Sequence, residues 1–67
     1  MSAEEFIGAL DTVEALVGEV QPDRLETVIP ILHEMRFCAW WNAQFRKETS
    51  EQLQELLEEL YAKTQDD

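Results

Sequence analysis

The stretch "PILHEMRFCAWWNAQFRK", residues 30–47, decides the fold that this sequence predicts. It contains no glycine, and its one proline is its first residue, so we expect a single continuous helix along it. At about 100° per residue, its apolar side chains cover more than half of the helix circumference, which is wider than one supporting face needs. We therefore expect this helix to lie at the centre of the fold, in contact with both flanking helices or with a second subunit.

The segment before this stretch predicts an amphipathic helix over residues 3–20. Its apolar residues recur at steps of four and three from Phe6 to Val20, and acidic residues occupy its other face. Ser2 and Glu5 stand ahead of it at the spacing of a capping box.

Two further starts divide the rest of the chain. Pro22 suits the first position of a second helix, which we expect over residues 22–47. Pro30 should kink that helix, because proline removes one backbone hydrogen bond. Thr49 and the glutamine three residues later predict a third capped start, and a repeat of leucines extends this helix over residues 50–63.

The sequence thus predicts an all-α fold in one domain, residues 1–67. The helices form either an antiparallel three-helix arrangement or a kinked hairpin followed by a third helix. A chain of this length has a marginal core. One cysteine, Cys38, and one histidine, His33, provide neither an internal disulfide nor a structural zinc site, so we expect no metal or cofactor. Dimerisation through the aromatic helix is the expected source of extra stability.

Charge is distributed unevenly along the chain. The net charge is −10; residues 24–47 carry +2, and the segments on either side carry −6 each. Phosphate backbones and anionic membranes would repel such a protein, so we expect neither direct nucleic-acid binding nor membrane binding. No signal peptide is recognisable and the apolar runs are short, which, with the single cysteine, predicts a cytoplasmic protein.

One large aromatic side chain lies outside the wide apolar arc of the middle helix. Trp40 projects beside Ile29 and His33, with Arg36 and Lys47 on the same side. We interpret these five residues as a partner-binding stripe edged by positive charge. In the alternative interpretation, Trp40 covers the protein's own core from the other side, and a cation from Arg36 or Lys47 lies over its ring.

The wide arc itself is assigned to the core or to a dimer face. The assigned side chains are Phe37, Trp41, Phe45, Met35 and Leu32. Asn42 falls inside the same arc, where it either fixes the register between paired helices or points to water at the rim.

Catalytic chemistry has little support in this sequence. No nucleophile-elbow, metalloprotease, Walker or Rossmann motif occurs, and His33 and Cys38 lie about 140° apart on one helix, so they form no dyad. We expect a non-enzymatic interaction module: an adaptor, inhibitor or antagonist of a larger protein that acts through an aromatic helix face. Two alternatives remain: a structural or chaperone-like subunit that folds with its partner, and an acidic mimic of nucleic acid that blocks a DNA- or RNA-binding protein.

Overall fold

Three α-helices make up most of residues 1–65, the part of the chain that the computed structural model describes. They are α1 (Ala3–Val20), α2 (Leu25–Trp41) and α3 (Ala43–Gln65), with one 3₁₀ turn (Pro22–Arg24) between α1 and α2. The all-α prediction with three helices is confirmed over these residues. The predicted domain reaches residue 67, and its last two residues lie outside the described range.

The first helix begins and ends where the sequence predicts. The Ser2 hydroxyl oxygen accepts a hydrogen bond from the Glu5 amide at 3.2 Å, and the Ser2 carbonyl accepts one from the Phe6 amide at 3.0 Å. These bonds satisfy amide groups that have no partner within the helix.

α1 lies at the centre of the fold, so the prediction that the aromatic helix is central is wrong. Both α2 and α3 pack mainly on α1 and contact each other much less. The nine buried hydrophobic residues come mostly from α1: Phe6, Leu10, Val13, Leu16 and Val17, with Leu32 and Ala39 from α2 and Leu53 and Leu60 from α3. α1 has this position because its apolar stripe is continuous over five turns, and two neighbours can share it.

Contacts at the two ends of the molecule give the direction of each helix. At one end, the rings of Phe6 and Phe45 meet edge to face, with centroids 5.9 Å apart. At the other end, Val17, Val28 and Leu60 line one cavity. α1 and α3 therefore begin at the same end, and α2 runs antiparallel to both.

The predicted end of the second helix at residue 47 is wrong, because α2 ends at Trp41. Asn42 stops it: the Asn42 side-chain oxygen accepts a hydrogen bond from the Phe45 amide at 3.0 Å. The Asn42 amide still donates to the Cys38 carbonyl at 2.9 Å, so one residue closes α2 and caps α3. Asparagine is among the strongest N-cap residues. The structure thus gives Asn42 a capping role that the sequence did not predict, and a part in the register between paired subunits stays a prediction.

The predicted third start also lies inside a helix. α3 begins at Ala43 and passes through Thr49, whose hydroxyl donates to the Phe45 carbonyl at 2.7 Å. Within a helix, a threonine hydroxyl can donate its hydrogen bond to the carbonyl four residues earlier. Thr49 does so and therefore does not cap a new helix. The predicted start of the second helix at residue 22 is also wrong, because Pro22–Arg24 form the 3₁₀ turn and α2 begins at Leu25. α2 continues through Pro30.

Candidate partner-binding surface

Three aromatic side chains of α2 lie together on its outer side. Phe37, Trp40 and Trp41 are 67%, 67% and 64% exposed, and we call these three residues the aromatic surface. Their directions span about 100° of the helix, on the side opposite the buried Leu32 and Ala39. The rings of Phe37 and Trp41 meet edge to face, with centroids 6.0 Å apart.

The predicted burial of Phe37 and Trp41 in the core of the single chain is therefore wrong. Leu32 is buried, as expected, while Met35 and Phe45 are half-buried at the edge of the core. The other half of the prediction, that these residues form a dimer face, stays a prediction.

Helix packing explains why the aromatic residues face outward. The side of α2 that meets α1 carries Ala39, which is fully buried, and Leu32. A small alanine lets two helix backbones approach closely, whereas the bulk of a phenylalanine or a tryptophan would hold them apart. The wide apolar arc also exceeds what the two other helices can cover, so its bulkiest sector stays exposed.

Arg36 binds within the chain. Its Nη2 lies 2.7 Å from an oxygen of Asp11 and 2.7 Å from an oxygen of Glu14, and its Nε donates to Asp11 at 3.1 Å. Partial burial opposes its charge, but the hydrogen bonds to Asp11 and Glu14 outweigh burial and raise the pKa of Arg36 above its ordinary value. Because the Arg36 side chain is only 18% exposed, it fixes α2 on α1 and is not the free cation that the predicted stripe needs.

The other members of the predicted stripe are divided between two helices. His33 and Trp40 are exposed on α2, about one turn and about three turns from the half-buried Ile29. Lys47 is exposed but belongs to α3. Its predicted position beside Trp40 assumed one continuous helix, so the structure gives no support for that position. Trp40 does not cover the protein's own core, and its contact with a partner stays a prediction.

Two polar residues hold this surface in place: Asn42, for which the sequence predicted other roles, and Arg46, which sequence reasoning did not select. Asn42 ends α2 one residue after Trp41, as described above. Arg46, from the first turn of α3, donates from Nη1 to the Ala39 carbonyl in the last turn of α2, and its Nε is buried without a partner. The strong N-cap tendency of asparagine was the available signal for the first residue. The Arg46 contact spans a helix junction and has no local signal.

A groove runs between α2 and α3. Phe37, Trp40 and Trp41 do not line it. It consists of three adjoining cavities of about 340, 240 and 170 Å³, all lined by Met35. Ile31 and Leu56 each line two of them and are exposed. The groove exists because α2 and α3 both pack on α1 and diverge from each other.

Acidic residues surround the aromatic surface, and the exposed Glu34 lies at its edge, about 60° from Phe37 on the helix. The exposed acidic residues of α3, which include Glu51, Glu55 and Glu58, lie on its outer side, as do Glu4 and Glu19 on α1. The aromatic surface thus adjoins outer helix sides that carry several exposed acidic residues.

Within residues 1–65, no cluster of three or more histidine, cysteine or acidic residues has the arrangement to hold a metal ion. Cys38 is a free, half-buried thiol. No helix in the described part of the chain combines the length and the apolar character that crossing a membrane requires.

No protein-family model, curated protein or solved structure matches this chain. Its function is therefore inferred from its own geometry.

Proposed function

We propose that this protein is a non-catalytic interaction module that captures a larger protein through the aromatic surface. The observation that carries the proposal is the exposure of Phe37, Trp40 and Trp41 on one side of one helix. Exposed aromatic residues in a contiguous group are typical of protein–protein interfaces.

The area involved supports a specific contact. An aromatic side chain carries roughly 200 Å² of surface, so two-thirds exposure of the three residues leaves about 400 Å² free. That value lies at the size of the largest apolar patch of an ordinary monomer, where such patches are often functional. Tryptophan is also the residue most enriched among those that dominate binding energy.

The rigidity of the surface supports the same proposal. Arg36 fixes α2 on α1, and Asn42 and Arg46 fix the last turn of α2 on α3. The three aromatic rings therefore project from a helix whose position is fixed. A preformed helix face loses little conformational entropy on binding. The expected partner therefore offers an apolar groove that accepts an α-helix.

Affinity capture from an extract of the native host tests this function. The immobilised wild-type chain is compared with a Phe37→Ala/Trp41→Ala double variant and with Tyr61→Ala, which removes an exposed aromatic residue from α3. We expect a protein that wild type and Tyr61→Ala retain and that the double variant loses. Equal retention by all three would contradict the proposal.

Salt dependence separates this function from acidic mimicry of nucleic acid. Capture by aromatic residues should persist as salt is raised, because apolar burial is not screened. A partner that elutes from all three variants at moderate salt would be held by the acidic outer faces, and the proposal would be wrong.

A further inference from the structure

We infer that, in the absence of the larger partner, the aromatic surface is covered by a second copy of this chain in a two-fold symmetric dimer. This inference rests on the binding role proposed above for the aromatic surface. It adds that self-association of the chain regulates partner binding at that surface.

Area supports a second copy as the occupant. Two aromatic surfaces facing each other would remove about 800 Å² from water, from about 400 Å² per chain. The neighbouring residues Pro30 and His33, which lie within about 40° of Phe37 on the helix, are also exposed and extend the contact. With complete burial of these side chains, the total approaches the roughly 1,000 Å² that a biological interface needs.

Charge selects this face over every other for self-association. A chain with a net charge of −10 repels its own copies wherever acidic faces approach. Among the exposed residues between Pro30 and Trp41, Glu34 is the one that carries a formal negative charge. Contact through α2 also directs the acidic outer sides of α1 and α3 away from the second copy.

An antiparallel pair of α2 helices would bring the aromatic residues of the two copies together. In an antiparallel pair of α2 helices centred on Phe37, Trp41 lies at the level of His33 of the second copy, and Trp40 at the level of Glu34 of the second copy. On the helix, Trp40 and His33 lie about 60° and 40° to one side of Phe37, and Trp41 and Glu34 lie about 40° and 60° to the other side. The two-fold axis keeps each side together, so Trp40 lies beside His33 of the second copy, and Glu34 of the second copy can accept a hydrogen bond from the Trp41 indole.

A dimer of this kind regulates partner capture by competition. The larger protein and the second copy need the same three rings, so the partner binds by displacing one chain from the other. The apparent affinity for the partner should fall as the concentration of the chain rises, because more of the aromatic surface is then occupied.

Sedimentation equilibrium of the purified chain, from nanomolar to millimolar concentration, tests the inference without any partner. We expect the wild-type mass to rise from the 7.8 kDa of one chain to twice that value. Phe37→Glu should stay monomeric at all concentrations, because the two-fold contact would bury two carboxylates face to face. Tyr61→Glu, an equally drastic change at an exposed aromatic residue of α3, should behave as wild type.

Three results would overturn the inference. The first is a wild-type chain that stays monomeric at every concentration. The second is a Phe37→Glu variant that dimerises as wild type does. The third is a Leu56→Glu variant that is the only monomeric one, which would place the contact in the groove between α2 and α3. Circular dichroism checks that each variant is folded, and Trp40→Glu replaces Phe37→Glu if the latter unfolds. A monomeric wild type that still captures a partner through its aromatic residues would remove the dimer and leave the proposed function intact.

Discussion

The strongest prediction compares the same substitution, phenylalanine to alanine, at a buried position and at an exposed one. Phe6→Ala removes a ring that is completely buried, and Phe37→Ala removes a ring that is 67% exposed. If the aromatic surface has no part in holding the single chain together, the two variants should differ greatly in stability.

The expected magnitudes follow from the area that each ring buries. Complete burial of roughly 200 Å² at about 25 cal/mol per Å² gives an upper value of about 5 kcal/mol, and phenylalanine-to-alanine changes in cores cost about 3–5 kcal/mol. Phe37 buries only about one-third of the same area, so its loss should cost at most about 1.7 kcal/mol. A domain of this size is stable by only about 3–10 kcal/mol. Phe6→Ala should thus lose a large share of the stability of the domain, whereas Phe37→Ala should lose a small one.

Urea unfolding followed by far-ultraviolet circular dichroism measures both values. The chain is kept dilute, so that dissociation of a dimer adds nothing to the free energy of unfolding. Phe6→Leu replaces Phe6→Ala if the alanine variant shows no folded baseline. Equal losses of stability at the two positions would refute the placement of Phe37 outside the core.

Three other changes test the contacts that position α2 and α3. Gly8→Ala should raise the free energy of unfolding by about 0.5–1 kcal/mol in urea unfolding, since Gly8 lies inside α1 and an added Cβ meets nothing within 4 Å; a loss would show that another group occupies this surface. Asn42→Ala should cost about 1 kcal/mol and lower the melting temperature by about 4–8 °C through loss of the α3 cap, and an unchanged melting temperature would contradict the role of this cap. Arg36→Gln should lower the free energy of unfolding by about 1 kcal/mol at low salt, because it breaks the ion pairs to Asp11 and Glu14. This loss of stability should shrink as salt is added. A loss that does not depend on salt would show that the substitution removes packing and not charge.

Local signals explain why α1 could be predicted completely. Its cap, its acidic first turn and its apolar stripe all depend on residues three or four apart, and these patterns act before tertiary contacts form. The start of α3 depends on an equally local signal, the cap at Asn42. The helical period continues through Asn42 without a gap, so the apolar pattern concealed the break.

The direction of the aromatic residues could not be predicted in the same way. A helical projection correctly places Phe37 between Trp40 and Trp41, within about 60° of each, but it does not say which sector meets a neighbouring helix. That choice depends on close packing at Ala39, and on Arg36 reaching α1 across more than twenty residues of sequence. Both contacts are long-range, and periodicity carries no information about either.

Tryptophan fluorescence tests the central claim most directly, because both tryptophans of the chain lie on the aromatic surface. Acrylamide quenching is measured on the monomeric Phe37→Glu variant and on wild type over a dilution series. The native variant and dilute wild type should be quenched nearly as strongly as the urea-unfolded chain, with protection of wild type appearing only as its concentration rises. Protection of the tryptophans in the folded Phe37→Glu variant, relieved only by urea, would show that Trp40 and Trp41 belong to the core of the single chain.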